Sequence, residues 1–134
     1  MTDVENNSVL EFFCIGVFPS NAAATVVLIP GGSTINCAAG APPAEIRVPF
    51  TGTLKNLYVS AVAGTGNEVV TVWANSSPTS LVCTVNQAAN TQCSDTNVAH
   101  NVTITAGQTI SLRVNNLPAA GGTLASMRAS VQLH

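Results

Sequence analysis

Ala125-Ser126-Met127-Arg128-Ala129-Ser130-Val131-Gln132-Leu133 alternates small or apolar residues with polar ones, and Ile110-Ser111-Leu112-Arg113-Val114 repeats the pattern in shorter form. Successive side chains of an extended strand point to opposite faces of a sheet, so each run writes a strand with one face toward a core. The period is two, and no segment carries a helical period long enough to compete.

Working back from these runs, strands are expected over 54–63, 69–75, 81–85, 98–104 and 108–115. Turns are expected at Gly64-Thr65-Gly66-Asn67, Ser76-Ser77-Pro78, Ala106-Gly107 and around Pro118 and Gly121-Gly122, with a turn-rich stretch over 86–96. Ile46, Val48 and Phe50 alternate with Glu45, Arg47 and Pro49, and the missing donor of Pro49 places that strand at a sheet edge or near its own end. Residues 33–43, with Gly40, Pro42 and Pro43, read as a loop. Two earlier runs, 10–18 and 25–29, are apolar on both alternating faces, as in a strand enclosed between layers or packed on a neighbour. Eight or nine short strands separated by turn signals describe an all-β, antiparallel β-sandwich of the jelly-roll kind. The division expected is a flexible polar arm over 1–8 and a single jelly-roll domain over 9–134.

Charged residues make up 7% of the chain, against roughly 25% in ordinary soluble domains. With 46% hydrophobic residues the chain is not of the disordered class. Its purely apolar runs fall far short of the roughly 20 residues of a spanning helix, so no membrane partner is expected. The opening Met1-Thr2-Asp3-Val4-Glu5-Asn6-Asn7 is acidic and polar where a cleavable export signal would be basic and then apolar. Arg47, Lys55, Arg113 and Arg128 stand singly in a chain of net charge −2, which offers no stripe for nucleic acid. A neutral exterior of Thr, Ser, Asn and Gln provides little repulsion between copies, so part of it is expected to be covered by other subunits.

Among four cysteines, Cys83 and Cys93 are spaced to bridge the base of a hairpin loop, which would leave Cys14 and Cys37 as a second pair. Four cysteines permit three connectivities, between which the sequence does not choose, and four reduced, buried thiols are the alternative to any of them. No Cys-x-x-Cys knuckle exists, so no metal site or cofactor is expected. Ser94, Asp95 and His100 could formally make a triad, but no nucleophile-elbow pattern accompanies them, and the chain is read as non-enzymatic. Gly64-Thr65-Gly66 lacks the third glycine and helix of a dinucleotide fingerprint. Asn-x-Ser/Thr matches at Asn6, Asn75 and Asn101 carry no weight without an export signal. Trp73 opposes the Val70, Val72 and Ala74 face, which makes it an interface anchor, a sugar platform with Asn67 and Asn75, or a ring covered by its own chain. Phe12, Phe13, Ile15 and Val17 of the two-sided run are the other candidate interface residues.

Gly52-Thr53-Leu54-Lys55-Asn56-Leu57-Tyr58-Val59, Val70-Thr71-Val72-Trp73-Ala74-Asn75, Cys83-Thr84-Val85, Cys93-Ser94-Asp95-Thr96 and the run 102–114 together resemble the C1q/TNF-like jelly-roll modules of bacteriophage virions and of bacterial surface and spore-coat proteins. A small residue, Gly and a polar residue often precede an alternating strand in that family, and here the segment is Ala106-Gly107-Gln108-Thr109-Ile110. The likeness covers roughly three fifths of the chain. No Gly-X-Y repeat precedes it, unlike the collagen-bearing members. The resemblance implies a homotrimeric jelly roll without an active site. It points to a capsid decoration (cement) subunit on the virion surface whose partners are further copies of itself and the major capsid protein. The alternative is a receptor- or glycan-binding module of a phage fibre, or a protein of a bacterial cell surface or spore coat.

Overall fold

The computed structural model describes residues 8–14, 26–30, 45–61, 67–86, 91–115 and 126–134. Among them lie eleven strands: β1 (Ser8–Cys14), β2 (Val26–Val27), β3 (Ile29–Pro30), β4 (Ile46–Arg47), β5 (Gly52–Ala61), β6 (Asn67–Ala74), β7 (Ser77–Asn86), β8 (Gln92–Asp95), β9 (Val102–Ile104), β10 (Thr109–Asn115) and β11 (Met127–Leu133). One 3-10 turn spans Val98–His100. Residues 1–7 of the expected arm, the 33–43 loop and the turns at Gly64-Thr65-Gly66, Pro118 and Gly121-Gly122 lie outside the described residues. So do Ile15, Val17 and Cys37.

The strands form two packed antiparallel sheets. Sheet I has the order β3-β1-β11-β5-β8, with β9 also on β5; sheet II has the order β2-β10-β6-β7, with β4 also on β10. The last two strands enter the middle of their sheets, β11 between β1 and β5 and β10 between β2 and β6. Joining the chain's beginning and end inside both sheets is jelly-roll connectivity. Met127, Ala129, Val131 and Leu133 line the core from one side, and Ile110, Leu112 and Val114 from the other. Each of the Met, Val, Leu and Ile side chains contributes about 1.5–3 kcal/mol by leaving water, and the methyl of Ala129 less.

The first strands depart from the two-sided reading. In β1, Phe12 and Cys14 are buried while Val9 and Glu11 are exposed, so this strand has one core face. Ser8, counted with the arm, already pairs with Leu133. The stretch 26–29 is apolar throughout for a different reason: the chain crosses between layers there. Val26 and Val27 pair with β10 in sheet II, Ile29 and Pro30 with β1 in sheet I, and Leu28 is fully enclosed at the crossing.

Three further expectations are corrected. The β6–β7 turn is Asn75-Ser76, with φ of 49° and 63°, the two positive values of a two-residue hairpin turn. Pro78, expected in that turn, belongs to β7, where it is tolerated because β7 is an edge strand. The 86–96 stretch contains strand β8, and the expected 98–104 strand begins only at Val102 after the 3-10 turn.

Sheet I also has a bulge that no alternation announces. Between Gln132↔Lys55 and Ser130↔Tyr58, β5 spends one residue more than β11. Asn56 sits there with φ 54° and its Nδ2 donates to Gln132 Oε1 at 2.9 Å. Asparagine is one of the few residues that adopts this conformation cheaply. The extra residue reverses the parity of β5. Leu54 points inward before it, and Leu57 and Val59 do so after it, leaving Tyr58 facing out.

Candidate functional site

Three places gather polar side chains. The first is the seam where edge strand β7 of sheet II meets edge strand β8 of sheet I. Cys83 and Cys93 are joined across it, with S–S 1.99 Å and Cα–Cα 5.8 Å. Two residues along β8, Asp95 reaches the same seam. Its Oδ2 accepts from Val82 N–H at 3.1 Å and lies 2.8 Å from His100 Nδ1, and its Oδ1 accepts from Asn97 N–H at 3.1 Å. Burial pushes this carboxyl up, but the hydrogen bonds from Val82, His100 and Asn97 outweigh it and hold the group below its ordinary value. With Nδ1–H given to Asp95, His100 Nε2 is left as the acceptor facing Asn97 Nδ2 at 3.5 Å.

The formal triad is not assembled. Ser94 neighbours Asp95 on a strand, so its side chain points to the opposite face, where it is paired with Tyr58. The Asp95–His100 pair instead ties the 3-10 turn, β8 and the outer edge of β7 together. Cys14, buried at the far side of sheet I, is disulfide-bonded as well, and Cys37 lies outside the described residues.

The second place is the outer face of sheet II. The Arg113 guanidinium lies over the Trp73 ring, 3.8 Å from its centroid. Arg113 Nη2 is 3.9 Å from Glu45 Oε1, which also accepts from Ser76 Oγ at 3.1 Å. Ser111, the cross-strand partner of Trp73, is 1% exposed beneath this group. One face of the indole is therefore already occupied by its own chain. Asn67 and Asn75 flank opposite ends of β6 and are separated by roughly 25 Å at ~3.3 Å per residue. The structure does not bring Trp73, Asn67 and Asn75 into one glycan contact. Phe12 is corrected too, since at 0% exposure it fills the sandwich's own core and offers nothing to a partner.

The third place is the outer face of sheet I, where Phe13 is the one residue that sequence reasoning named as an interface candidate. Two registered rows cross four strands: Glu11–Ser130–Tyr58–Ser94, and beside it Phe13–Arg128–Ser60–Gln92. All of these residues except Phe13 line an open depression of about 490 Å³. Tyr58 stands in it 53% exposed. Phe13 is half-buried at its margin, with the Arg128 guanidinium 5.6 Å from its ring centroid. The alternation in 126–132 does put Arg128 and Ser130 outward; what it cannot supply is Tyr58 beside them, because the bulge at Asn56 decides that.

Among the described residues no three His, Cys, Asp or Glu side chains converge as a metal site would require. No helix there is long and apolar enough to cross a membrane. Compared with known families and with characterised proteins, the chain matches no family model and no curated sequence.

Proposed function

We propose that this protein is a non-enzymatic structural subunit of a virus particle, a bacteriophage capsid decoration (cement) protein of the C1q/TNF-like kind, assembling as a homotrimer on the major capsid protein. The observation that carries the reading is the use made of its few charges. Asp95–His100 and Arg113–Glu45 are both spent on bracing the sandwich, one across the seam between the sheets and one over the outer face of sheet II. Together with the Cys83–Cys93 cross-link, these contacts build a rigid piece rather than a reactive centre. Jelly-roll connectivity and sparse charge support the same reading, and the polar segment preceding β1 is the natural attachment arm.

Size-exclusion chromatography with light scattering, followed by co-sedimentation with capsids, tests it. A trimer that sediments with capsids, and does so less when residues 1–7 are removed, is the expected result. A stable monomer that ignores capsids overturns it.

A second reading, a glycan- or receptor-binding module of a fibre or cell surface, is favoured by one specific observation, the open depression around Tyr58.

A further inference from the structure

We infer that the depression on the outer face of sheet I is a binding site for an uncharged oligosaccharide, laid across the strands with one sugar ring stacked on Tyr58. The inference rests on the binding-module reading and gives it a different site from the Trp73 platform. Its volume of about 490 Å³ falls within the roughly 300–1,000 Å³ of small-ligand sites. The row from Glu11 on β1 to Ser94 on β8 crosses three strand spacings, roughly 14 Å at ~4.8 Å each, a length suited to more than one sugar.

The lining chemistry selects the ligand. Among the described residues, the side chains of Glu11, Tyr58, Ser60, Ser94, Arg128 and Ser130 make no hydrogen bond within the chain. They offer a carboxylate acceptor, a guanidinium donor and four hydroxyls that can do either. A ligand covering them must return those bonds or leave polar groups desolvated. A polyhydroxylated ligand does so. The single negative charge of Glu11 and the single positive charge of Arg128 sit in adjacent rows and offset each other, so neither an anion nor a cation is preferred. Tyr58 supplies an apolar ring face for the C–H side of a sugar, and its neighbours of small volume, Ser60, Ser94 and Ser130, leave that ring standing clear. Trp73, by contrast, has one face under Arg113.

The test is an array of neutral glycans probed with the full, oxidised chain, followed by titration of the best hit against Tyr58→Ala, Tyr58→Phe and Trp73→Ala. Tyr58→Ala is expected to weaken binding about tenfold or more, Tyr58→Phe to stay within a few-fold, and Trp73→Ala to leave it unchanged. Unfolding midpoints of the three variants confirm that each folds. Binding that survives Tyr58→Ala but falls with Trp73→Ala overturns this site while keeping the binding-module reading. No hit on the array, in a chain that unfolds cooperatively, overturns both. Protection of Tyr58 by a second copy, read from hydroxyl-radical footprinting of dilute and concentrated protein, also overturns the proposal and assigns the face to self-association.

Discussion

The outer faces of the two sheets carry the same kinds of residue and end in opposite conditions. Each has an aromatic with a polar tip, an arginine, a glutamate and several hydroxyls. On sheet II the arginine lies on the aromatic at 3.8 Å and the glutamate holds the arginine, so the set closes on itself. On sheet I Arg128 leans toward Phe13 at 5.6 Å, one row away from Tyr58, and the phenol ring stays open. The difference is one of register. Arg113 is diagonal to Trp73 and within reach of Glu45 from the segment before β4, whereas among the described residues no strand continues over the Tyr58 rows. An outward aromatic is as available as its diagonal neighbours leave it.

The largest perturbation tests whether the two faces stand on one slab. Phe12 lies directly behind the Glu11 and Phe13 rows and is wholly enclosed. Phe12→Ala is expected to cost about 3–5 kcal/mol. Tyr58 and Trp73 emission should then change at one urea midpoint. Two separated midpoints would break the comparison, because the faces would belong to independently unfolding sheets.

Next in size is the seam. Cys83–Cys93 closes a loop of sequence separation 10 and joins sheet II to sheet I. Replacing both cysteines with alanine is expected to cost about 2–3 kcal/mol through the entropy of the unfolded chain. The loss should appear as a lower thermal midpoint that is insensitive to reductant acting on this pair. Asp95→Asn removes the ionised acceptor of Val82 N–H at the same seam and is expected to cost about 2 kcal/mol. Its pH signature follows from linkage. A carboxyl held below its unfolded value stabilises the fold in full above about pH 4 and loses that contribution as pH falls through the lower folded value. Stability of the parent protein should therefore fall on acidification below about pH 4, and the Asn variant should lose less over the same interval.

The core stripe of β10 and β11 was legible because alternation is a local signal and both strands are regular. The class of fold followed from it. Topology was not legible from residues alone: that Val26 and Ile29 serve different sheets depends on a crossing at Leu28 that leaves no mark in an apolar run. The bulge at Asn56 hid the outward turn of Tyr58 for the same reason, since one inserted residue inverts every side chain beyond it. Cys83–Cys93 could be suggested by spacing. Asp95 as a seam acceptor could not, because its partner Val82 becomes a neighbour only when β7 and β8 come to lie in different sheets. Trp73 was legible as outward, but its cover by Arg113 required the β6–β10 register.

The smallest expected effects separate the two faces most directly. Arg113→Ala removes the guanidinium from the Trp73 ring and is expected to cost about 1 kcal/mol, since the stacked charge is 17% exposed and partly desolvated. Trp73 emission should shift to the red as water reaches the uncovered ring. Arg128→Ala on sheet I loses a contact that is longer and more open, so its cost should stay within about 0.5 kcal/mol. If both substitutions cost the same, the closed and open descriptions of the two faces collapse into one. If only Arg113→Ala is felt, sheet II spends its polar set on stability, and sheet I retains its own for something outside the chain.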